Sequence, residues 1–266
     1  RDATNYIEDR HNIELHFYER PFMKFLRRLR SGERPSLSSL MTTDIIGPGV
    51  LHQLTDGIKN KIHTHNHHLS HAAAGFQTSP YEHATVVVID AIGEFDTISI
   101  YDARYVNGVA RYKRLWKQSY PDSIGLFYSA MTKCAGLAPL DEEYILMGMA
   151  AYGKPVLSDY FKSDLIAHEQ ELLFKQNLHL GLEDDYVKHA NEYDIASSAQ
   201  SLVENLICNI MRRAKDFNFS SNLVYMGGVA LNCAANARIG KYFDNLWIMP
   251  NPGDAGSSLG CAALAY

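Results

Sequence analysis

ATVVVIDAIGEFDTISIYDARYVNGVARYKRLW, residues 84–116, sets the fold class. ATVVVID (84–90) is an unbroken, largely β-branched apolar run closed by a polar turn, which suits a strand covered on both faces. TISIYD (97–102) alternates, and Asn107-Gly108 is a dipeptide favoured in two-residue hairpin turns, leading into VARYKRLW (109–116). Three sequential antiparallel strands are predicted.

C-terminal to them, SIGLFYSAMTKCAG (123–136) reads as a helix ended by Gly136, and EEYILMGMAAYGKP (142–155) as a shorter helix broken by Gly153 and Pro155. ELLFKQNLHLGL (171–182) suggests a small hairpin, and SSAQSLVENLICNIMRRAKDF (197–217) a long helix with its apolar stripe at 202, 206, 207 and 210. The tail then alternates: strand NLVYMGG (222–228), helix VALNCAANARI (229–239), strand NLWIMP (245–250), a Gly-rich loop, and a helix from about Ala255. A three-strand meander followed by alternating helices and strands predicts an α/β fold, a mixed sheet with helices on its faces.

N-terminal to the meander, IELHFYERPFMKFLRRLR (13–30) begins as a short strand. It passes through Pro21 into a basic amphipathic helix with apolar positions Phe22, Phe25, Leu26 and Leu29. Residues 31–62 are weakly patterned. Asn66 is placed to cap a helix from His67 to about Phe76, which Ser79-Pro80 ends.

The chain has 266 residues and 46% hydrophobic content, enough for one large or two modest domains. A net charge of −5 disfavours duplex nucleic acid as a partner, because phosphate binding needs a basic surface. Cys134, Cys208, Cys233 and Cys261 form no C-x-x-C pair, so a zinc ribbon or disulfide framework is not indicated and a reducing cytoplasm fits. No apolar run approaches the roughly 20 residues that span a bilayer, so no membrane association is expected. The sequence opens without methionine and stops straight after the apolar SSLGCAALA, as a fragment would.

HTHNHHLSHAAAGF (63–76) holds five of the 12 histidines. On a helix, His67 and His71 lie four apart on one face, so both imidazoles reach one metal ion. The zinc-protease motif shares that spacing but needs a glutamate after the first histidine, where this chain has His68. A metal pair and a hydrogen-bonded histidine cluster both remain open at this point. Asp90 ends the buried strand, where ligands of sheet proteins gather, yet it also suits turn initiation. Asp254 precedes the last helix, as a ligand or as its N-cap. Two histidines with one or two such carboxylates form the nitrogen and oxygen set typical of iron(II) or a similar divalent ion. YMGGVALN (225–232) runs a strand through Gly227-Gly228 into a helix, which suits either an anion at the helix N-terminus or tight strand-to-helix packing.

Taken in order, NHHLSHAAAGF, VVVIDAIGEFDTISIY, SIGLFYSAMT, EEYILMGMAAYGKP, YMGGVALNCAANARI and NPGDAGSSLG resemble the carbamoyltransferase family of antibiotic and nodulation-factor biosynthesis. HFYERPFMKFLRRL is similar to a further segment of that family, so the likeness covers most of the chain. It implies an actin, Hsp70 and sugar-kinase-like (ribonuclease H-like) fold, a truncated tandem of two such subdomains, related to the enzymes that install threonylcarbamoyl on tRNA. Residues 1–81 would be the remainder of the first subdomain, with the metal-binding helix, and 82–266 the second. The N-terminal hairpin and the C-terminal YrdC-like domain expected of the family have no counterpart in this sequence.

The resemblance implies metal ligands His67, His71 and Asp254, with Asp90 a further one, and iron as the metal. Gly93 and Glu94 would lie along a nucleotide cleft, and Gly227, Gly228 and Asn232 would contact the adenylate, with Asp90 and Asn232 catalytic. His63, His65 and His68 would be bystanders. The implied reaction carries a carbamoyl group from carbamoyl adenylate, made from carbamoyl phosphate and ATP by the YrdC-like domain, to a small hydroxylated acceptor. The metal would either polarise the carbamoyl oxygen or hold the attacking hydroxyl. Alternatives are threonylcarbamoyl transfer to tRNA and a non-catalytic metal- or nucleotide-binding relative. Two positions depart from the family pattern. Ala91 stands where a second glycine is usual, and Ile145 where a lysine often follows Glu-Tyr.

Overall fold

Alternate residues of the 84–90 run face opposite ways, and both sides are covered. The computed structural model of the chain describes residues 14–32, 62–183 and 186–266. Within them the run lies in β3 (His83–Gly93), the middle strand of a five-stranded mixed sheet ordered β5-β4-β3-β8-β9. The partners are β4 (Asp96–Val106), β5 (Val109–Ser119), β8 (Asn222–Met226) and β9 (Asn245–Trp247). β3, β4 and β5 are antiparallel, whereas β3, β8 and β9 are mutually parallel. Asn107 and Gly108 both take positive φ, 53° and 76°, and close the predicted tight hairpin.

Val86 and Val88 point into one hydrophobic layer, with Ala72, Ala74 and Phe76 of α2 (His67–Thr78). Val87 and Ile89 point into the other, with α3 (Ile124–Cys134) and α6 (Glu192–Asp216). That double burial is why the strand reads as continuous and not alternating. β5 is the outer strand, and it presents Arg111, Lys113 and Arg114, charges that blunt an exposed edge.

α2 is built of small residues because it is packed on two sides. It lies on the sheet, and α8 (Asp254–Ala265) crosses it so closely that a Cβ on Gly260 would stand 1.8 Å from the Ser70 carbonyl oxygen. On the N-terminal side, β1 (Leu15–Phe17) pairs in parallel with β2 (Ile62–Thr64), and α1 (Pro21–Arg30) follows β1.

Several elements differ from the sequence expectation. α6 starts at Glu192, not 197, because Asn191 caps it by accepting from Tyr193 N and Glu192 and Asp194 fill its acidic first turn. The expected 171–182 hairpin is a pairing of β6 (Ile166–His168) with β7 (Leu173–Phe174), with buried Leu172 in the turn at φ 54°. Residues 142–155 give α4 (Glu143–Met149) and a 3-10 turn, Ala150–Tyr152, and α5 (Ser158–Leu165) follows. The expected 229–239 helix is a 3-10 turn, Gly228–Leu231, and then α7 (Cys233–Ile239), broken where Asn232 caps α7 by accepting from Ala235 N. In α1 the expected apolar stripe is not the inner face: Phe22 and Leu29 are 60% and 49% exposed, while Arg27 is buried over the Tyr120 ring. Most of the weakly patterned 31–62 stretch lies outside the described residues.

Candidate metal centre

The capping expected at Asn66 is present: its side-chain oxygen accepts from Leu69 N at 2.9 Å and starts α2 at His67. One helical turn later His71 projects from the same face, and the two Nε2 atoms stand 3.1 Å apart in a fully buried setting. Asp90 enters from the end of β3, its Oδ2 2.9 Å from His67 Nε2 and 3.5 Å from His71 Nε2. Asp254 enters from α8, its Oδ1 3.3 Å and 3.2 Å from the same two nitrogens. Asp254 is not the N-cap of its helix. Gly253 is, and Asp254 as the first helical residue turns its carboxylate toward the histidines.

Four ligand atoms from three elements thus lie within 4.8 Å of one another. Tetrahedral bonds of about 2.1 Å place ligand atoms roughly 3.4 Å apart, so this spacing fits one divalent ion with little rearrangement. The donor set fits too: two imidazoles and two carboxylates suit a first-row divalent metal. Asp90 is anchored for such a role, because its Oδ1 accepts from Ala91 N at 2.8 Å and Gly228 N at 3.3 Å while Oδ2 faces the histidines. The Nδ1 atoms of His67 and His71 are buried and without a hydrogen-bond partner, which leaves the Nε2 atoms as the ones aimed at a common point.

Without metal the cluster is a tight set of opposite charges. Burial would lower His67, but hydrogen bonds and charge from Asp254 and Asp90 prevail and hold its pKa up at about 10. His71 is raised by the same balance. Burial would raise both carboxyls, yet the histidines hold Asp254 down at about 2 and Asp90 well below the usual carboxylate range. His68 behaves differently. Burial and the neighbouring His67 charge keep it neutral, its Nδ1 meets Ser99 Oγ at 2.8 Å, and it takes no part in the cluster.

Asp90 and Asp254 also line a cleft of about 530 Å³ with Ala91, Gly228 and Asn232. Three other expected cleft residues are not among its lining. Gly93 faces the histidines instead: a Cβ there would come within 2.5 Å of the His68 ring and 2.6 Å of the His67 ring. Glu94 is buried in a fork with Arg20, whose Nε lies 3.0 Å from both carboxylate oxygens, and it accepts from Asn66 Nδ2 at 3.2 Å. It ties the start of α1 to the cap of the histidine helix. Gly227 has φ 95°, and a Cβ there would meet the Ile89 carbonyl oxygen of β3 at 2.2 Å, so the turn after β8 packs against β3 too closely for a side chain. Asn232 does line the cleft, but its amide is engaged: Oδ1 caps α7 and accepts from Gln200 Nε2, while Nδ2 donates to Gln200 Oε1.

The sequence model of the carbamoyltransferase N-terminus matches residues 46–263, a span that includes all four converging residues. The chain belongs to that family. An uncharacterized protein of Synechocystis is 34% identical over 220 residues, covering 74% of this chain and 35% of its own length. Nodulation protein NolO of Bradyrhizobium diazoefficiens is 29% identical over 215 residues, covering 75% of this chain and 38% of its own length. The chain therefore spans little more than a third of these relatives. Among solved structures, HypF of T. kodakarensis aligns over 97% of this chain and 41% of its own, with a TM-score of 0.46 and 15% identity.

Three residues of this carbamoyltransferase N-terminal chain that bear on the centre were not singled out from sequence. Tyr18 packs its ring at 68° to that of His67, and burial together with the charges of Asp254, Glu19 and Asp90 raises its pKa. Glu19, buried and paired with Lys24 at 2.8 Å, brings Oε1 to 3.8 Å from His67 Nδ1. Arg20 anchors Glu94. All three belong to the YER triplet before Pro21, whose spacing carries no metal or helix signature. Their relation to the centre arises only when β1 docks beside β2. Among the described residues no helix is long and apolar enough to cross a membrane.

Proposed function

We propose that this domain transfers a carbamoyl group from carbamoyl adenylate to a hydroxyl of a small acceptor. The observation that carries the reading is the convergence of His67, His71, Asp90 and Asp254 at the wall of a 530 Å³ cleft, in a carbamoyltransferase-family chain. A divalent metal held by these four, iron being the best match to the donors, supplies Lewis-acid polarisation when bound. The acceptor oxygen bonds to the carbamoyl carbon, the bond from that carbon to the AMP phosphate oxygen breaks, and AMP leaves with the electron pair. The hydroxyl proton goes to the departing phosphate or to water.

Asp90 has no oxygen free to take that proton, since Oδ1 accepts from two backbone N–H groups and Oδ2 lies 2.9 Å from His67 Nε2. Its part is to orient: one oxygen is pinned by two backbone N–H groups and the other is turned to the histidines. Asn232 acts by position, holding Gln200 and the start of α7 against the cleft, and the adenylate is offered the Gly228 backbone and the apolar walls. Among the described residues that line the cleft there is no Lys or Arg, so a bound cation would be what favours an anionic substrate there. The sheet, a three-strand meander joined to two parallel strands, supports a ribonuclease H-like subdomain of the actin, Hsp70 and sugar-kinase group over 82–266, with 1–81 the remainder of a preceding one. Carbamoyl adenylate formation from carbamoyl phosphate and ATP belongs, in this reading, to a YrdC-like domain of the full-length protein. Four free thiols agree with a cytoplasmic setting.

A small acceptor is preferred to tRNA because part of the densest basic run is engaged within the chain. Lys24 pairs with Glu19, Arg27 lies over Tyr120, and Arg30 over Phe95. The test supplies metal-loaded protein with carbamoyl adenylate and candidate polyol or sugar alcohols, and follows AMP and O-carbamoyl product by mass spectrometry. Acceptor-dependent release that disappears in the His67→Ala/His71→Ala double variant supports the reading, and equal turnover in that variant overturns it. Micromolar tRNA binding with a steep salt dependence would instead favour the tRNA-modifying alternative.

A further inference from the structure

We infer that the chain carries a second divalent-cation site, formed by Glu14, His16 and His63 on the exposed β1–β2 ladder and independent of the buried centre. The parallel register sets His16 directly beside His63, so their side chains leave the same face of the ladder. Glu14, two residues before His16, falls on that face as well. The imidazoles stack with centroids 4.7 Å apart and planes 16° from parallel. Glu14 Oε2 lies 3.5 Å from His16 Nε2 and 3.8 Å from His63 Nε2, so three ligand atoms gather within 4.8 Å of one another. That is close to the roughly 3.4 Å separations of a tetrahedral shell with bonds of about 2.1 Å.

His16 Nδ1 lies 2.9 Å from His65 Nε2, a contact that orients the His16 ring with Nε2 turned to Glu14. One divalent ion placed between Glu14, His16 and His63 can bond one atom of each of the three side chains. Two imidazoles and a carboxylate with an open fourth position are a zinc-type set, with nickel and copper as competitors. His63 and Glu14 side chains are 51% and 58% exposed, so an ion here exchanges with solvent, in contrast to one at the buried centre. The ion would staple β1 to β2, the two strands that lead directly into Tyr18-Glu19 and into His67.

The experiment strips the protein with a chelator and titrates it with Zn(II) against a chromophoric competitor. A second, weaker class of bound ion is expected in wild type. The His16→Ala/His63→Ala double variant loses that class and keeps the tight one, and the single surface change His63→Gln does the same without touching the β1 core. His67→Ala/His71→Ala keeps the weaker class and loses the tight one, which separates this inference from the buried centre. Wild type with one class only, or retention of both classes in the His16/His63 and His63→Gln variants, would overturn it.

Discussion

Asp254 Oδ1 lies 3.2 Å from His71 Nε2, although 183 positions separate them in the chain. The distance is set by how closely α8 crosses α2, and that closeness depends on the missing side chain at Gly260, whose Cβ would stand 1.8 Å from Ser70 O and 2.8 Å from Ala74 N. Gly260→Ala is therefore expected to push the helices apart, costing about 1–3 kcal/mol as overpacked substitutions do. The same change should move Asp254 away from the histidines and weaken metal binding. Urea unfolding and metal titration check both. A fully stable, fully metal-binding Gly260→Ala would contradict this account of the centre.

Single alanine changes at His67 and His71 are expected to abolish the tightly held metal, read by elemental analysis after exhaustive dialysis. His63→Ala leaves it in place, because the His63 side chain lies on the exposed ladder and not in the buried cluster. Tight metal surviving in the His67/His71 double variant would remove the assignment.

Glu19 Oε1 lies 3.8 Å from the buried outer nitrogen of His67, Nδ1, which has no hydrogen-bond partner of its own. A small shift of the Glu19 side chain on metal binding would make this a hydrogen bond, and carboxylates so bonded to a metal-bound imidazole orient the ring and typically add about 10–100-fold in metal affinity. Glu19→Gln should weaken the tight site within that range while leaving the far-ultraviolet circular dichroism unchanged. Unaltered affinity would mean that His67 Nδ1 draws no help from Glu19.

These residues also mark where sequence legibility ends. The His67 and His71 pair, Asp90 at a strand end and Asp254 at a helix start were legible because each sits at a regular position of an element whose period or boundary is written locally. The strand order of the meander was legible for the same reason. Glu19, Arg20 and Gln200 were not, since each acquires its partner through docking of segments far apart in the chain. Gly93, Glu94 and Gly227 were recognisable as special positions, but the physical reason for each lies in neighbours that no local pattern names: two imidazole rings, a guanidinium and the Ile89 carbonyl.

Protons and metal compete for the buried centre, and the direction follows from the shifted groups. His67 is held at about 10 because Asp254 and Asp90 outweigh the burial that would lower it, so the metal-free centre keeps a proton at neutral pH. A metal ion must displace that proton, and binding near pH 7 is expected to release at least one proton per ion, since His71 is raised as well. Affinity should then rise with pH until the histidine proton is lost unaided near 10. The stability of the metal-free protein moves the other way. The raised histidine stabilises the fold fully below its ordinary value of about 6.5 and loses that contribution as pH climbs toward 10. The depressed carboxyls contribute above their ordinary value of about 4 and lose it as pH falls, toward about 2 for Asp254. The cluster thus favours the metal-free fold most between about pH 4 and 6.5, whereas the added stability from a fixed concentration of metal grows from pH 6 to 9. Calorimetric titration in two buffers of different ionisation enthalpy, with thermal unfolding of stripped and loaded protein across that range, measures both trends. Buffer-independent binding heats, or a metal effect on melting that shrinks as pH rises, would show that the histidines are already free of protons and that the carboxylates do not hold them as described.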